Sequence, residues 1–63
     1  MTDELEKRAA AIKRAAEYRE RAANYASLSK EAEQRGDAQM SVEFARKAAD
    51  EEVEANRIEA GIK

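Results

Sequence analysis

Four residue types that often carry structure or chemistry are missing from this chain: cysteine, histidine, proline and tryptophan. Without cysteine there is no disulfide, and without cysteine or histidine the usual ligands of transition metals are absent. The commonest general base and the strongest nucleophile of enzymes are absent for the same reason. The sequence therefore predicts a non-enzymatic protein with no cofactor, no metal site and no catalytic residues.

Long apolar runs are also missing. No stretch approaches the ~18 consecutive apolar residues that a membrane-spanning helix needs. The start of the chain is acidic, at Asp3 and Glu4, whereas a secretory signal peptide begins with basic residues followed by an apolar segment. We therefore expect a complete small cytoplasmic protein that does not enter a membrane.

Glycine occurs only at Gly36 and Gly61, and Gly36 interrupts an otherwise continuous run of good helix formers. A glycine suits the left-handed residue that ends a helix, and Asp37 suits the cap of the next one. Thr2 or Asp3 is the predicted cap of the first helix, and Gly61 the predicted end of the second. The pattern predicts an all-α antiparallel hairpin in a single domain, 1–63, with helices at about 3–35 and 38–60.

Both predicted helices carry small and apolar residues at the 3.5-residue spacing of coiled-coil packing. We call these positions the inner face: Ala11, Ala15, Tyr18, Ala22, Tyr25, Ser29 and Ala32 in the first helix, and Ser41, Phe44, Ala48, Glu51, Ala55, Ile58 and Ile62 in the second. If the chain reverses at Gly36, facing residues have numbers that sum to about 73. Tyr25 then faces Ala48, and large side chains meet small ones.

A second apolar set lies outside the inner face: Leu5, Ile12, Ala16 and Ala23 in the first helix, and Val42, Ala45, Ala49 and Val53 in the second. Scattered surface alanines are common and need no explanation. A chain of 63 residues with an alanine-rich core, however, needs further stabilisation. We therefore expect a homo-oligomer, most simply a dimer in which two hairpins form a four-helix bundle.

The first helix is markedly basic between Lys7 and Lys30, with seven basic residues and only two acidic ones. Lys7, Arg14 and Arg21 recur every seven residues and so share one face, which is typical of a site for RNA or another polyanion. The acidic second helix offers another explanation, because the predicted register pairs Arg21 with Glu54, Arg19 with Glu52 and Arg14 with Glu59. Lys7 and Arg8 have no partner in that scheme, so anion binding would centre on them.

The densest acidic segment runs from Asp50 to Glu54. Consecutive carboxylates on a helix point in different directions, so we expect a solvated or ion-paired face and not a cation site. Glu51 differs from its neighbours because it belongs to the inner face. We expect it near Arg19 and Arg21, where a polar side chain can fix the register of two helices.

One stretch of the chain has a recognisable spacing of small and aromatic residues. Tyr25 and Leu28 open it, followed by Ser29, Ala32, the Gly36-Asp37 turn, Val42-Glu43-Phe44 and Lys47-Ala48. Tyr25–Ala49 resembles a single tetratricopeptide repeat. The resemblance implies a helix pair that stacks on neighbouring helices and binds an extended peptide.

Together these features predict a small protein–protein interaction module that acts as an adaptor, inhibitor or regulator. Its partners are a second copy of itself and another protein. The alternative is a nucleic-acid-binding regulator that uses the basic face of the first helix. The candidate binding residues are Leu5, Ile12 and Tyr18 for protein contacts, and Lys7, Arg8, Arg14 and Arg21 for anions.

Overall fold

A computed structural model describes residues 2–62, with side chains from Asp3 onwards. Helix α1 spans Thr2–Gln34 and helix α2 spans Ala38–Ile62. The two helices pack against each other as an antiparallel hairpin measuring 53 × 13 × 10 Å. The predicted all-α hairpin and its turn are therefore confirmed, and α1 lies within a residue or two of its expected bounds.

The turn between the helices has the hydrogen bonds of a Schellman motif. The Asp37 N–H donates to the carbonyl of Ala32 at 2.9 Å, and the Gly36 N–H donates to the carbonyl of Glu33 at 3.0 Å. Gly36 has a φ of +82°, in the left-handed region that glycine enters without strain. Asp37 caps α2, because its Oδ1 accepts from the N–H of Met40 at 3.1 Å. Both predicted roles are confirmed.

Replacing Gly36 by alanine should lower the free energy of unfolding by about 1–2 kcal/mol, because an L residue is strained at this φ. A Cβ added here meets no atom within 4 Å, so backbone strain alone is tested. Urea denaturation followed by circular dichroism measures the loss. Gly61→Ala is the matched control, since Gly61 lies inside α2 with open space around it, and there alanine should stabilise slightly. Equal effects of the two substitutions would contradict this account of the turn.

Two predicted roles at the helix ends, those of Gly61 and Asp3, are wrong. A third, that of Thr2, involves a side chain that the structure does not describe. Helix α2 does not stop before Gly61 but continues through it to Ile62. Inside a helix glycine costs only about 1 kcal/mol relative to alanine, so α2 accommodates Gly61. At the other end, α1 already includes Thr2, so Asp3 lies in the first turn, where its charge favours the helix dipole. The Thr2 side chain, the other predicted cap, is not among those described.

The inner face is confirmed at every predicted position. Ala15, Ala22, Ala32 and Ala55 are buried, and the other ten residues of the face are half-buried. The two serines of the face satisfy each other, since the Ser29 hydroxyl lies 2.7 Å from the carbonyl oxygen of Ser41 and 3.2 Å from its hydroxyl. No large side chain is fully buried in the described residues. The core is thus a thin line of alanines flanked by partly covered larger residues.

The register differs from the simple facing rule. Near the turn, Tyr25 stacks on Phe44 with ring centroids 6.2 Å apart, one turn closer to Gly36 than the predicted partner, Ala48. Towards the open end, Arg19 reaches Asn56 and Glu59, which lie further along α2 than predicted. The rule assumed that the numbers of facing residues have the same sum along the whole hairpin. Long side chains instead reach partners about one helical turn away in either direction.

Neither described helix contains an 18-residue window apolar enough to cross a membrane.

Candidate interaction surfaces

Two arginine contacts show that the hairpin has two different sides. Arg19 donates to Oδ1 of Asn56 at 3.1 Å and pairs with Glu59 at 2.5 Å. Arg21 donates through Nε to Oε2 of Glu51 at 3.0 Å. Residues two apart in a helix are separated by about 200°. The two arginines therefore bridge α1 and α2 on opposite sides of the inner face.

The side marked by Arg19 is apolar. Leu5 and Ile12 precede Arg19 at seven-residue intervals, and Val42 and Ala49 precede Asn56 at the same interval, so each set forms a column along its helix. Leu5, Ile12, Val42 and Val53 are 67%, 58%, 59% and 47% exposed. We call this surface the apolar side: Leu5, Ile12, Ala16, Ala23, Val42, Ala45, Ala49 and Val53. All eight residues are exposed, as a hairpin with an unpartnered second face requires.

The side marked by Arg21 is basic. Lys7 and Arg14 precede Arg21 at seven-residue intervals and share its column. The guanidinium of Arg21 also lies 4.5 Å from the centroid of the Tyr18 ring, a cation–π contact. The hydrogen bond to Glu51 raises the pKa of Arg21. The predicted approach of Glu51 to Arg21 is confirmed.

The predicted ion pairs of α1 have the wrong partners. Arg19 pairs with Glu59 and not with Glu52, although Glu52 is close enough to help raise the pKa of Arg19 after the larger effect of the Glu59 hydrogen bond. Arg21 pairs with Glu51 and not with Glu54, which is held instead by Arg57 at 3.3 Å. Facing numbers give only the height of a residue along the hairpin, whereas the partner depends on which side of each helix it occupies.

Helix α1 extends past the end of α2 at the open end of the hairpin. It has 33 residues against 25 in α2, and eight further residues correspond to about 12 Å. The step between the helices forms an open groove of about 500 Å³, which we call the end groove. It is lined by Glu4, Lys7, Arg8, Ala11, Arg14, Arg57, Ile58, Gly61 and Ile62.

The end groove collects three of the four basic residues predicted to contact anions. Lys7, Arg8 and Arg14 all line it and form no ion pair within the described part of the chain. Arg14 was expected to pair with Glu59, but Glu59 belongs to the opposite side with Arg19. The fourth residue, Arg21, is engaged with Glu51 and lies further along the basic side.

The candidate residues for protein contacts divide in two. Leu5 and Ile12 are exposed on the apolar side, whereas Tyr18 is half-buried beneath Arg21 and is less accessible. Residue-by-residue reasoning missed Arg57, Ile58 and Ile62, the contribution of α2 to the end groove. The unequal lengths of the two predicted helices within this sequence were the available signal for this groove.

The acidic run of α2 is partly ion-paired, since Glu51 contacts Arg21 and Glu54 contacts Arg57. Its carboxylates do not converge, and among the described residues no group of three or more acidic side chains is placed to hold a metal ion.

A scan against protein-family models and searches of curated proteins and solved structures find no match to this chain. The resemblance of Tyr25–Ala49 to a tetratricopeptide repeat therefore stays a prediction.

Proposed function

We propose that this chain is a non-enzymatic protein–protein interaction module that dimerises through its apolar side into a four-helix bundle and binds another protein. The observation that supports this most directly is the distribution of apolar side chains. The only fully covered residues in the described chain are four alanines, whereas Leu5, Ile12, Val42 and Val53 are about half exposed or more. A surface of this kind is typical of a protein interface.

The energetics favour self-association of the same surface. Burying a large aliphatic side chain contributes about 1.5–3 kcal/mol when its full area leaves water. Four such residues on each copy, each only partly exposed at present, supply a substantial part of what a micromolar dimer needs, about 8 kcal/mol. A two-fold axis near Arg19 sets the Leu5 and Ile12 end of one copy against the Val42 end of the other.

The Arg19–Glu59 pair gives this arrangement a register. It lies between the two apolar ends of the surface and bridges α1 and α2. A polar group within an apolar interface restricts the helices to the alignment in which its hydrogen bonds remain satisfied. The proposed dimer is therefore antiparallel and specific, not a sliding contact between alanine-rich surfaces.

Replacing Ile12 by alanine should weaken dimerisation by about tenfold or more, because apolar area is lost from both copies of the interface. Sedimentation equilibrium over a range of protein concentrations measures the dissociation constant. Lys13→Ala is the matched control, since it shortens the neighbouring exposed side chain outside the apolar side and should leave association unchanged. A wild-type chain that stays monomeric at ~1 mM, or an Ile12→Ala protein that associates normally, would rule the dimer out.

A second candidate function, binding of RNA or a similar polyanion, is favoured by one observation. Lys7, Arg8 and Arg14 all line the end groove and form no ion pair within the described chain. The ion pair of Arg21 with Glu51 counts against an extended polyanion site, since it removes one cation from the stripe. Binding of this kind would weaken steeply with salt, as phosphate contacts release counterions.

A further inference from the structure

We propose that the end groove is the site at which the module binds its protein partner, and that the occupant is an acidic peptide segment carrying apolar side chains between its carboxylates. The inference rests on the proposed function, because it gives the chemistry of the partner that an interaction module requires. The lining of the end groove shares no residue with the apolar side.

The charged side chains that line the end groove are mainly positive. Four cations line the end groove, Lys7, Arg8, Arg14 and Arg57, against the single carboxylate of Glu4. The chain as a whole has a net charge of −2, so this concentration of positive charge is local. Arginine binds carboxylates through two parallel hydrogen bonds, and two unpaired arginines with a lysine beside them suit a segment with two or three carboxylates.

The end groove also has an apolar floor, formed by Ala11, Ile58 and Ile62. These three are half-buried residues of the inner face at the point where α2 ends. A volume of about 500 Å³ lies within the range of sites that take a small ligand or a few side chains. An apolar side chain of the partner fits this floor while its neighbouring carboxylates reach the cations.

The placement of the aromatic residues favours a peptide over nucleic acid. Single-stranded nucleic acids stack their bases on exposed aromatic rings. In this chain the Tyr18 ring is covered by Arg21, and Tyr25 and Phe44 stack on each other away from the groove. The lining of the end groove contains no aromatic residue. Its aliphatic floor gives a base no such platform but suits a leucine-like side chain.

The test uses the full chain and three fluorescein-labelled probes at about 0.1 M salt, read by fluorescence anisotropy. The first probe is a nine-residue peptide that alternates glutamate with leucine, the second has serine in place of leucine, and the third is an eight-nucleotide single-stranded RNA. We expect the first probe to bind, the serine probe to bind about fivefold more weakly or worse because the apolar contact is lost, and the RNA to bind more weakly than the first.

A charge-matched pair of variants locates the site. Lys7→Gln with Arg14→Gln should weaken binding of the glutamate–leucine peptide by about tenfold, since each lost charge pair contributes up to about 1 kcal/mol. Lys13→Gln with Lys30→Gln removes the same charge from exposed positions outside the groove and should change binding by less than about twofold. Circular dichroism checks that all variants keep their helix content.

Three results would overturn the proposal: no peptide binding, equal weakening by the two double variants, or tighter binding of the RNA. Amide chemical shifts in a nuclear magnetic resonance titration give an answer that needs no variant. Peptide-induced shifts should cluster at residues 4–14 and 57–62, and shifts centred elsewhere would refute the site.

Ile12→Ala separates the two proposals, because it should impair dimerisation and leave peptide binding intact. If the protein binds the peptide but does not dimerise, only the proposed dimer is refuted. If it dimerises but does not bind the peptide, only the proposed peptide site is refuted.

Discussion

Replacing Ala55 by leucine should destabilise the hairpin by about 3 kcal/mol, enough to unfold much of a small domain at room temperature. Ala55 is 0% exposed and lies on the inner face, where α1 and α2 come together over alanine side chains. Three additional carbon atoms have no space there, so the helices must separate or the leucine must leave its favoured rotamers. Separation would also withdraw the half-buried residues on either side from contact.

Urea denaturation followed by circular dichroism at 222 nm measures this effect. Ala26→Leu is the matched control, because Ala26 is exposed in the middle of α1 and the same substitution there should change stability by no more than about 0.5 kcal/mol. A leucine at Ala55 that is tolerated as well as one at Ala26 would show that the helices are not closely packed at this point.

Truncating Phe44 to alanine should lower the free energy of unfolding by about 2 kcal/mol. Truncating a fully buried phenylalanine to alanine lowers the free energy of unfolding by about 3–5 kcal/mol. The effect should be smaller here because Phe44 is only half-buried. Its ring stacks on Tyr25 at an interplanar angle of 23°, and the ammonium of Lys47 lies 5.9 Å from its centroid. It is the only phenylalanine of the chain, and its stack with Tyr25 joins α1 to α2 near the turn.

The measurement is the same denaturation series, repeated at several protein concentrations so that dimerisation does not obscure the result. Glu43→Ala serves as the control, since Glu43 is exposed next to Phe44 and its loss should be almost neutral. Equal stability of the Phe44→Ala and Glu43→Ala proteins would mean that the aromatic stack does not hold the two helices together.

Most of the fold was predictable because it depends on rules that act within a few residues. Gly36 and Asp37 end one helix and cap the next through contacts no more than five residues away, so their roles could be read from their types and positions. The inner face followed from a seven-residue repeat of small and apolar residues. The same rules failed at Gly61, because glycine weakens a helix by only about 1 kcal/mol and α2 continues through it to Ile62.

The surfaces were predictable only in part. Leu5 and Ile12 could be recognised as surplus apolar residues, since the inner face was already complete without them. The partners of Arg19 and Arg21 could not be derived, because they depend on how far each helix is rotated about its axis. The sum of two residue numbers predicts how far along the hairpin a residue lies, but not which side of the helix it occupies. Arg19 and Arg21 are only two positions apart, yet they bridge the helices on opposite sides of the hairpin.

The sequence by itself determined that this chain forms two antiparallel helices joined at Gly36, with an alanine-rich line between them, because helix propensity, capping and periodicity are local properties of the chain. Only the tertiary structure decided that one side of the hairpin is apolar and the other basic, and that Lys7, Arg8 and Arg14 meet Arg57 across a groove. Those relations join residues far apart in the chain, and they are determined by the packing of α1 on α2.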